Sequence, residues 1–194
     1  MRKVFIAVGL AVGVTLLGAV GVPQTLADAP KGDAGSITPE NTKIEFVGTK
    51  KDGKHDGGFK KFSGSLKPVD GDVTKATLTV EIDTTSLFAD DPKLTQHLKT
   101  PDFFDVKKYP DAKFVSKEIK ADKKDETTHT ITGDLTLHGT TVTLKFPAKV
   151  TVTDDAVTLE STFKFDRTDF GISFKPEAVD KEVTVKVTAK VARK

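Results

Sequence analysis

Cysteine is absent from this sequence of 194 residues, and so is tryptophan. Without cysteine the chain forms no disulfides, and a lipid-modified lipoprotein is excluded. An exported form must therefore be stabilised by its apolar core, and the chain is long enough to build one. Because the sequence has 13 phenylalanines and one tyrosine, its aromatic surface offers apolar area but few hydrogen bonds. A cavity lined by phenylalanine would suit an apolar ligand better than a sugar.

Long hydrophobic runs are also absent, apart from the one at the start. Two basic residues precede an almost unbroken apolar run from Val4 to Leu17, and small residues follow up to Ala27. This layout predicts a signal peptide at residues 1–27 and a flexible, polar lead-in at residues 28–36. The alternative is a retained membrane anchor, because the apolar run approaches spanning length. After cleavage, no stable membrane span is expected.

An excess of charge of one sign is lacking as well. Cleavage would remove two of the 30 basic residues and none of the 28 acidic ones, which leaves a mature chain close to neutral. No basic patch with interleaved aromatic residues is visible, so a nucleic-acid partner is not expected.

The dominant pattern that is present has a period of two. Apolar and polar residues alternate in five segments, as in strands with one buried and one wet face. Three further segments, Lys43–Lys50, Gly58–Lys67 and Ala112–Ile119, fit less cleanly. The clearly alternating apolar residues are Ala76 to Ile82, Ile131 to Leu137, Val142 to Val152, Val157 to Phe165 and Val183 to Val191. We therefore expect about eight strands in one domain, residues 37–194.

The connections between these strands predict antiparallel pairing. His138-Gly139 separates two alternating runs and is typical of a two-residue hairpin. Asp70-Gly71 and Asp154-Asp155 mark further turns, and Lys120–Thr128 reads as a charged hairpin loop. Eight antiparallel strands with one apolar face can close into a single barrel, which removes exposed edges. At that size the interior is filled by side chains or holds one small ligand.

The inward face of this barrel mixes large and small residues. Large residues supply dispersion and area, whereas small ones leave room or accommodate a neighbouring phenyl ring. The small inward residues are Gly48, Ala76, Gly133, Ala148, Ser161 and Ala189.

The segment from Leu94 to Phe114 interrupts the strands. Pro92 and Pro101 can each open a helical turn, and Asp91 and Thr100 before them are residue types that cap helices. We therefore expect one short helical insertion, at about residues 91–108. A connection of this length is typical of a lid, a binding loop or a plug. The alternative is that its aromatic residues only cork the end of the barrel.

Other motifs give weaker signals. The four histidines, His55, His97, His129 and His138, lack metal-ligand spacing and are interpreted as surface or turn residues, so no metal site is predicted. The tripeptide Asp169-Phe170-Gly171 occurs without the other kinase motifs and is dismissed. Asp166, Arg167 and Asp169 are interpreted as a salt-bridged strand end rather than as a catalytic centre.

One stretch resembles a known family. HLKTPDFFDVKKYPDAKF (His97–Phe114) looks like the signature of the YceI-like family. Three supporting segments occur in the order that the family has them: FKKFSGSL (Phe59–Leu66) before this stretch, and TGDLTLHGTT (Thr132–Thr141) and RTDFGI (Arg167–Ile172) after it. The resemblance covers nearly the whole mature chain. The region Lys43–Phe59 departs from the family pattern because it is rich in lysine and glycine, and this bears on the ligand more than on the fold.

The resemblance implies an extended lipocalin-like antiparallel barrel that is periplasmic or secreted. It also implies an elongated apolar cavity for a polyisoprenoid, isoprenoid-quinone-like or similar amphiphilic lipid, and it implies no catalytic residues or cofactor. On the matching positions, Asp102 and Asp105 would anchor the helical segment to the barrel. The residues predicted to contact the ligand are Phe46, Leu78, Val80, Ile82, Phe103, Phe104, Phe114, Leu135, Phe146, Phe163, Phe165 and Phe170.

The sequence thus predicts a lipid-binding protein that is not an enzyme, with a homodimer kept as an alternative assembly. Two other functions stay open. One is a lipid-modifying hydrolase or isomerase with Asp166, Arg167 and Asp169 as its polar centre. The other is a ligand-free structural or stress-response barrel, filled by its own side chains.

Overall fold

The computed structural model describes residues 35–69 and 72–193. Within these residues the chain forms eleven β-strands, one α-helix and two 3₁₀ turns, Thr84–Ser86 and Arg167–Phe170. The helix, α1, spans Pro92–Leu98. The strands are β1 (Ser36–Ile37), β2 (Thr42–Lys50), β3 (Gly53–Phe59), β4 (Phe62–Val69), β5 (Asp72–Asp83), β6 (Leu87–Ala89), β7 (Asp111–Ala121), β8 (Thr128–Leu137), β9 (Thr140–Val152), β10 (Ala156–Asp166) and β11 (Val179–Ala192).

Some sequence predictions fall outside this range. The predicted signal peptide, most of the lead-in and the Asp70-Gly71 turn lie outside the described residues. Within the described ranges, no helix has the length and apolar character needed to cross a membrane.

All the strands join one antiparallel sheet in the order β1-β4-β5-β7-β8-β9-β10-β11-β2-β3-β6. Strands β7 to β11 form a meander, because each pairs with the next strand in the chain. The last strand then pairs with β2, so the sheet curls back toward its own beginning. At one end, β1 pairs with β4 while the Gly35 amide donates to the Ala192 carbonyl (2.9 Å), so this short strand bridges β4 and β11. The result is a curled half-barrel.

The prediction of eight strands is corrected to eleven among the described residues. The eight expected strands are present as β2, β4, β5 and β7–β11, and the additional ones are β1, β3 and β6. Strands β1 and β6 have two and three residues, too few to show a period. Strand β3 reads GKHDGGF, and its glycines leave no apolar alternation to detect.

The predicted hairpin at His138-Gly139 connects β8 to β9. Both residues have positive φ, 51° and 75°, as a type I′ turn requires. This turn fixes the β8–β9 register, in which Leu135 faces Val142 and Ile131 faces Phe146.

Pairing between β9 and β10 covers only part of their length. The ladder runs from Val157 opposite Val152 to Glu160 opposite Lys149 and then stops. Pro147 follows at this point and has no N–H to donate, and its carbonyl accepts a hydrogen bond from Ser161 Oγ instead (2.6 Å). Beyond Ser161, we refer to the gap between β9 and β10 as the β9–β10 seam.

The helical insertion is shorter than expected. Helix α1 begins as predicted, with Pro92 in its first turn and the Asp91 carboxylate accepting from the Leu94 amide (2.7 Å). After Leu98, however, residues 99–108 form turns, so the predicted helical range of 91–108 is corrected. The Thr100 carbonyl accepts from the amides of Phe103 and Asp105, which winds the chain into a loop rather than a second helix.

The buried residues form two apolar clusters. The first includes Ile37, Leu66, Ile131 and Val157, and lies where β1 bridges the sheet. The second lies under α1 and the following turns, and it contains Leu87, Leu98, Phe103 and Phe170, among others. The space between the two clusters becomes the cavity described below.

Candidate ligand-binding cavity

A cavity of about 370 Å³ runs along the inward face of the curled sheet. This volume is within the range of small-molecule sites. At one end it reaches Ile37, Leu66 and Val191, which are almost completely buried, and we call this the closed end. At the other end it reaches the polar rim, defined as Thr49, Lys50, His55 and Asp180.

Eleven of the twelve residues predicted to contact a ligand lie in the cavity lining: Phe46, Leu78, Val80, Ile82, Phe103, Phe104, Phe114, Leu135, Phe146, Phe163 and Phe165. Whether they contact a ligand stays a prediction. Phe170 does not appear in the lining. Its ring is 0% exposed and packs edge-on against Phe165, with the centroids 5.2 Å apart. It supports the wall from behind.

Phenylalanine rings form two groups along the wall. Phe146 stacks on Phe163 across the β9–β10 seam, with ring centroids 4.2 Å apart and planes 13° apart. Phe46, Phe59 and Phe104 form the second group, with centroids 6.0–6.4 Å apart. The first group joins β9 to β10, and the second joins β2 and β3 to the loop that follows α1.

The small inward residues differ in what surrounds them. A Cβ built on Gly133 would lie 2.5 Å from the Phe114 ring, and one on Gly57 would lie 2.4 Å from the Phe46 ring. These glycines therefore accommodate phenyl rings and leave no room for a ligand. A Cβ built on Gly48 would have no atom within 4 Å, so real space remains beside it.

Helix α1 and the β10–β11 connection meet beside the rim. The His97 ring packs edge-on against Phe103 and Phe174, at centroid distances of 5.1 and 4.9 Å. Its Nε2 lies 2.8 Å from Asp102 Oδ2, so Asp102 holds the helix to the loop that follows it. Asp105 has φ of 43°, and its carbonyl accepts from the amides of Lys108 and Tyr109. Asp102 and Asp105 therefore make these contacts within the segment from α1 to Tyr109.

The histidines lie in more varied places than the sequence suggested. His55 and His97 line the cavity, and each lies against a carboxylate. His129 is buried, and His138 occupies the predicted turn with Nδ1 3.1 Å from the Phe170 carbonyl. Among the described residues, no group of three or more metal-ligating side chains comes together.

Arg167 is 4% exposed and is surrounded by backbone carbonyls. Its Nε donates to Asp180 O, Nη1 to Ile172 O, and Nη2 to both Phe174 O and Val179 O, at 2.7–3.0 Å. Burial lowers the pKa of this guanidinium below its usual range, and the nearby carboxylates of Asp166 and Asp180 oppose that effect. The expected salt bridge is replaced by bonds that hold the β10–β11 connection in shape.

The three residues of the alternative polar centre do not converge. Asp166 accepts from the amide and hydroxyl of Thr168 (2.8 and 2.6 Å), and these bonds lower its pKa. Asp169 is exposed at the surface, and Arg167 spends its donors on carbonyls. Nothing in this arrangement directs two of these groups at one reacting atom.

Several lining residues were not among the predicted contacts, including Thr42, Phe59, Leu98, Leu159 and Phe174. For Thr42 the alternation Thr42-Ile44-Phe46-Gly48-Lys50 in β2 was an available signal. Phe174 lies in a connection without periodicity, so its position follows only from the Arg167 bonds to that connection.

Comparison with known proteins places the chain in a family. Residues 36–191 match the model of the YceI-like domain. A UPF0312 protein of Vibrio cholerae is 33% identical over 141 residues, which cover 73% of this chain and 70% of that protein. A UPF0312 protein of Pseudomonas putida is 39% identical over 92 residues, 47% of each chain. The chain thus spans about half the length of the Pseudomonas putida relative and about two thirds or more of the Vibrio cholerae one.

Solved structures agree with the fold. BcnA of Burkholderia cenocepacia is similar with a TM-score of 0.73 and 25% identity, over 82% of this chain and 99% of that one. A polyisoprenoid binding domain from Saccharophagus degradans matches with a TM-score of 0.66 over 84% of this chain and 100% of that one. At 12% identity, the latter likeness shows the fold alone. With the domain match covering most of its length, the chain belongs to the YceI-like family.

Proposed function

We propose that this protein is an exported binding protein that holds a long apolar or amphiphilic lipid, of polyisoprenoid or isoprenoid-quinone type, in a lipocalin-like cavity. The observation that carries the proposal is the 370 Å³ cavity, walled by aliphatic and phenyl side chains from the closed end to the polar rim. Apolar chains gain free energy in proportion to the area that such a wall removes from water.

Family membership and the polyisoprenoid-binding neighbour support the same ligand class. The hydrolase or isomerase alternative is less well supported, because Asp166, Arg167 and Asp169 do not converge. The ligand-free barrel is less well supported too, because the space beside Gly48 is not filled by a neighbouring side chain. Export of a protein cleaved after Ala27 into the periplasm or medium, and a homodimer, remain predictions.

Mass spectrometry of organic extracts from the purified protein tests the proposal. Ala189 lines the cavity, whereas Thr188 is on the exposed face of the same strand. We expect the wild type and Thr188→Phe to carry the same long-chain lipid, and Ala189→Phe to carry much less of it, because the added ring occupies ligand space. Lipid-free extracts from wild-type protein, together with no uptake of added isoprenoids, would contradict the proposal. N-terminal sequencing of the exported protein tests the predicted cleavage.

A further inference from the structure

Four strands place one row of residues across the inward face at the polar rim. Phe165 lies opposite Val183, Val183 opposite Gly48, and Gly48 opposite His55. Directly opposed residues project to the same face of a sheet. The side chains of Phe165, Val183 and His55 all line the cavity, whereas Gly48 contributes none. We call the open space between Val183 and His55 the Gly48 bay.

Neither the backbone nor the packing requires glycine at position 48. Gly48 is not among the described glycines with positive φ, so its conformation is accessible to other residues. No atom lies within 4 Å of a Cβ built there, in contrast to Gly57 and Gly133, which phenyl rings cover. The absence of a side chain therefore has one evident effect, which is to leave the bay open.

The bay is bordered by a hydrogen-bond donor, the Lys50 ammonium, and by an acceptor, Nε2 of His55. His55 Nδ1 lies 3.0 Å from Asp90 Oδ1, and because a carboxylate only accepts, this nitrogen carries the proton and the ring is oriented. Its Nε2 then carries a lone pair and can accept a hydrogen bond from a ligand hydroxyl. Lys50 lies two residues along β2, on the same inward face, and its ammonium has three donors.

The carboxylates nearby are already engaged. Asp90 accepts from His55 and from the Asp56 amide, and Asp180 accepts from the Thr49 hydroxyl (2.5 Å). The Lys50 ammonium thus lies at one end of a cavity whose other end is apolar.

We propose that the Gly48 bay is the subsite for the polar end of the ligand: an oxygen-rich head group that accepts hydrogen bonds from Lys50 and whose hydroxyl can donate to His55 Nε2. The apolar chain would then run toward the closed end at Ile37 and Leu66. This inference rests on the proposed function, and it adds the orientation of the ligand and the residue that sets the size of its head. Because Lys50 is cationic, a phosphate head should bind better than a hydroxyl on the same chain.

The test compares two amphiphiles with the same chain, geranylgeranyl phosphate and geranylgeraniol, by displacement of the apolar dye N-phenyl-1-naphthylamine. For the wild type we expect the phosphate to bind about tenfold more tightly than the alcohol. Lys50→Gln should abolish this preference while keeping the affinity for the alcohol. Gly48→Leu should weaken both amphiphiles about tenfold or more and leave the melting temperature unchanged or raised.

Val47→Leu is the control for a larger side chain on the opposite face of the same strand. It should change neither affinity. Wild-type affinity of Gly48→Leu for both amphiphiles would overturn the inference, as would loss of its fold, since an open bay has room for the side chain. Equal binding of both amphiphiles in wild type and Lys50→Gln would overturn the head-group assignment and leave the proposed function intact. Failure of both amphiphiles to bind wild type would remove the proposed function itself.

Discussion

At the scale of single residues, Arg167 shows how a buried cation can be used without a carboxylate partner. Its guanidinium donates to four carbonyls of residues 172–180, a connection with no regular secondary structure of its own until β11 begins. The bond to the Ile172 carbonyl is buried and the other three are part-buried, and a carbonyl left without a donor there is costly. The residue therefore organises the loop that carries Phe174 to the polar end of the cavity.

We predict that Arg167→Lys lowers the free energy of unfolding by about 3 kcal/mol, because an ammonium cannot reproduce the planar fork and leaves buried acceptors unpaired. Arg193→Lys is the matched control, since Arg193 makes an exposed bond to the Thr153 carbonyl. It should cost less than about 1 kcal/mol. Denaturant unfolding of both variants measures the difference, and equal losses would contradict the assigned role of Arg167.

The hydrogen bonds of Asp125 predict that the stability of the fold depends on pH. Hydrogen bonds from the Thr127 hydroxyl and amide and from the Thr128 hydroxyl lower its pKa to about 2. Because the folded-state pKa lies below the unfolded value, its contribution to stability is present above about pH 4 and is lost as the pH falls toward 2. Asp125→Asn should therefore lose less stability than wild type over that interval in acid unfolding titrations. Parallel titration curves for the two proteins would refute the assignment.

At the scale of elements, the segment from α1 to β7 forms part of the cavity wall. Phe103 is 7% exposed and packs against His97 and Phe174, whereas Phe104 is half-buried and contacts Phe46 and Phe59. Both rings line the cavity, but they differ in how much protein surrounds them. The alternatives of binding loop and cork therefore apply to different residues of one segment.

We predict that Phe103→Ala mainly lowers stability, whereas Phe104→Ala mainly weakens lipid binding. Phe103→Ala should cost about 3 kcal/mol of unfolding free energy, because it empties a packed site. Phe104→Ala should cost about 1 kcal/mol of stability and weaken lipid binding by about 1–3 kcal/mol, because its exposed side faces ligand space. Paired lipid and denaturant titrations measure both effects. Unaltered lipid affinity in both variants would assign the whole segment to the scaffold.

The β9–β10 seam is closed by side chains rather than by a backbone ladder. Since Phe163 is half-buried and stacks on Phe146 there, Phe163→Ala should cost about 1–2 kcal/mol, less than a fully packed phenylalanine. It should also weaken lipid binding. Thr162→Ala, on the exposed face, should cost less than about 0.5 kcal/mol. A loss as large for Thr162→Ala would show that the face of this strand is misassigned.

At the scale of the whole molecule, fold and ligand site share the same side chains. Leu78, Phe146 and Leu159 belong to the first apolar cluster and also line the cavity. A ligand that binds only the folded state stabilises it, by about 2.7 kcal/mol at a free concentration one hundred times Kd. Binding and stability are thus coupled through the cavity wall.

Thermal unfolding at equal concentrations of isoprenoid alcohols of increasing length should show this coupling. Each added unit buries more apolar surface, so the melting temperature should rise with chain length until the chain reaches the closed end. Thr188→Phe should follow the wild type, whereas Ala189→Phe should respond only to shorter alcohols. A shift that does not depend on chain length would contradict apolar binding along the cavity.

Much of this architecture could be predicted from local sequence. Alternation with a period of two located five of the longer strands clearly and three less cleanly, because a sheet that buries one face imposes that period on its strands. Asp91-Pro92 marked the start of α1, and His138-Gly139 marked a hairpin, since both depend on neighbouring residues alone. The motif around Phe103 and Phe104 indicated the family, which the domain match confirms.

Other features depend on contacts between residues far apart in the chain. Strands β1, β3 and β6 exist only because neighbouring strands pair with them. Whether a small inward residue leaves space depends on the ring opposite it: Phe114 covers Gly133, whereas nothing covers Gly48. Phe170 was predicted to face the ligand but packs behind Phe165, because the 3₁₀ turn after β10 directs it away from the cavity. Local periodicity determined which residues face inward, and only the register between distant strands decided where space remains among them.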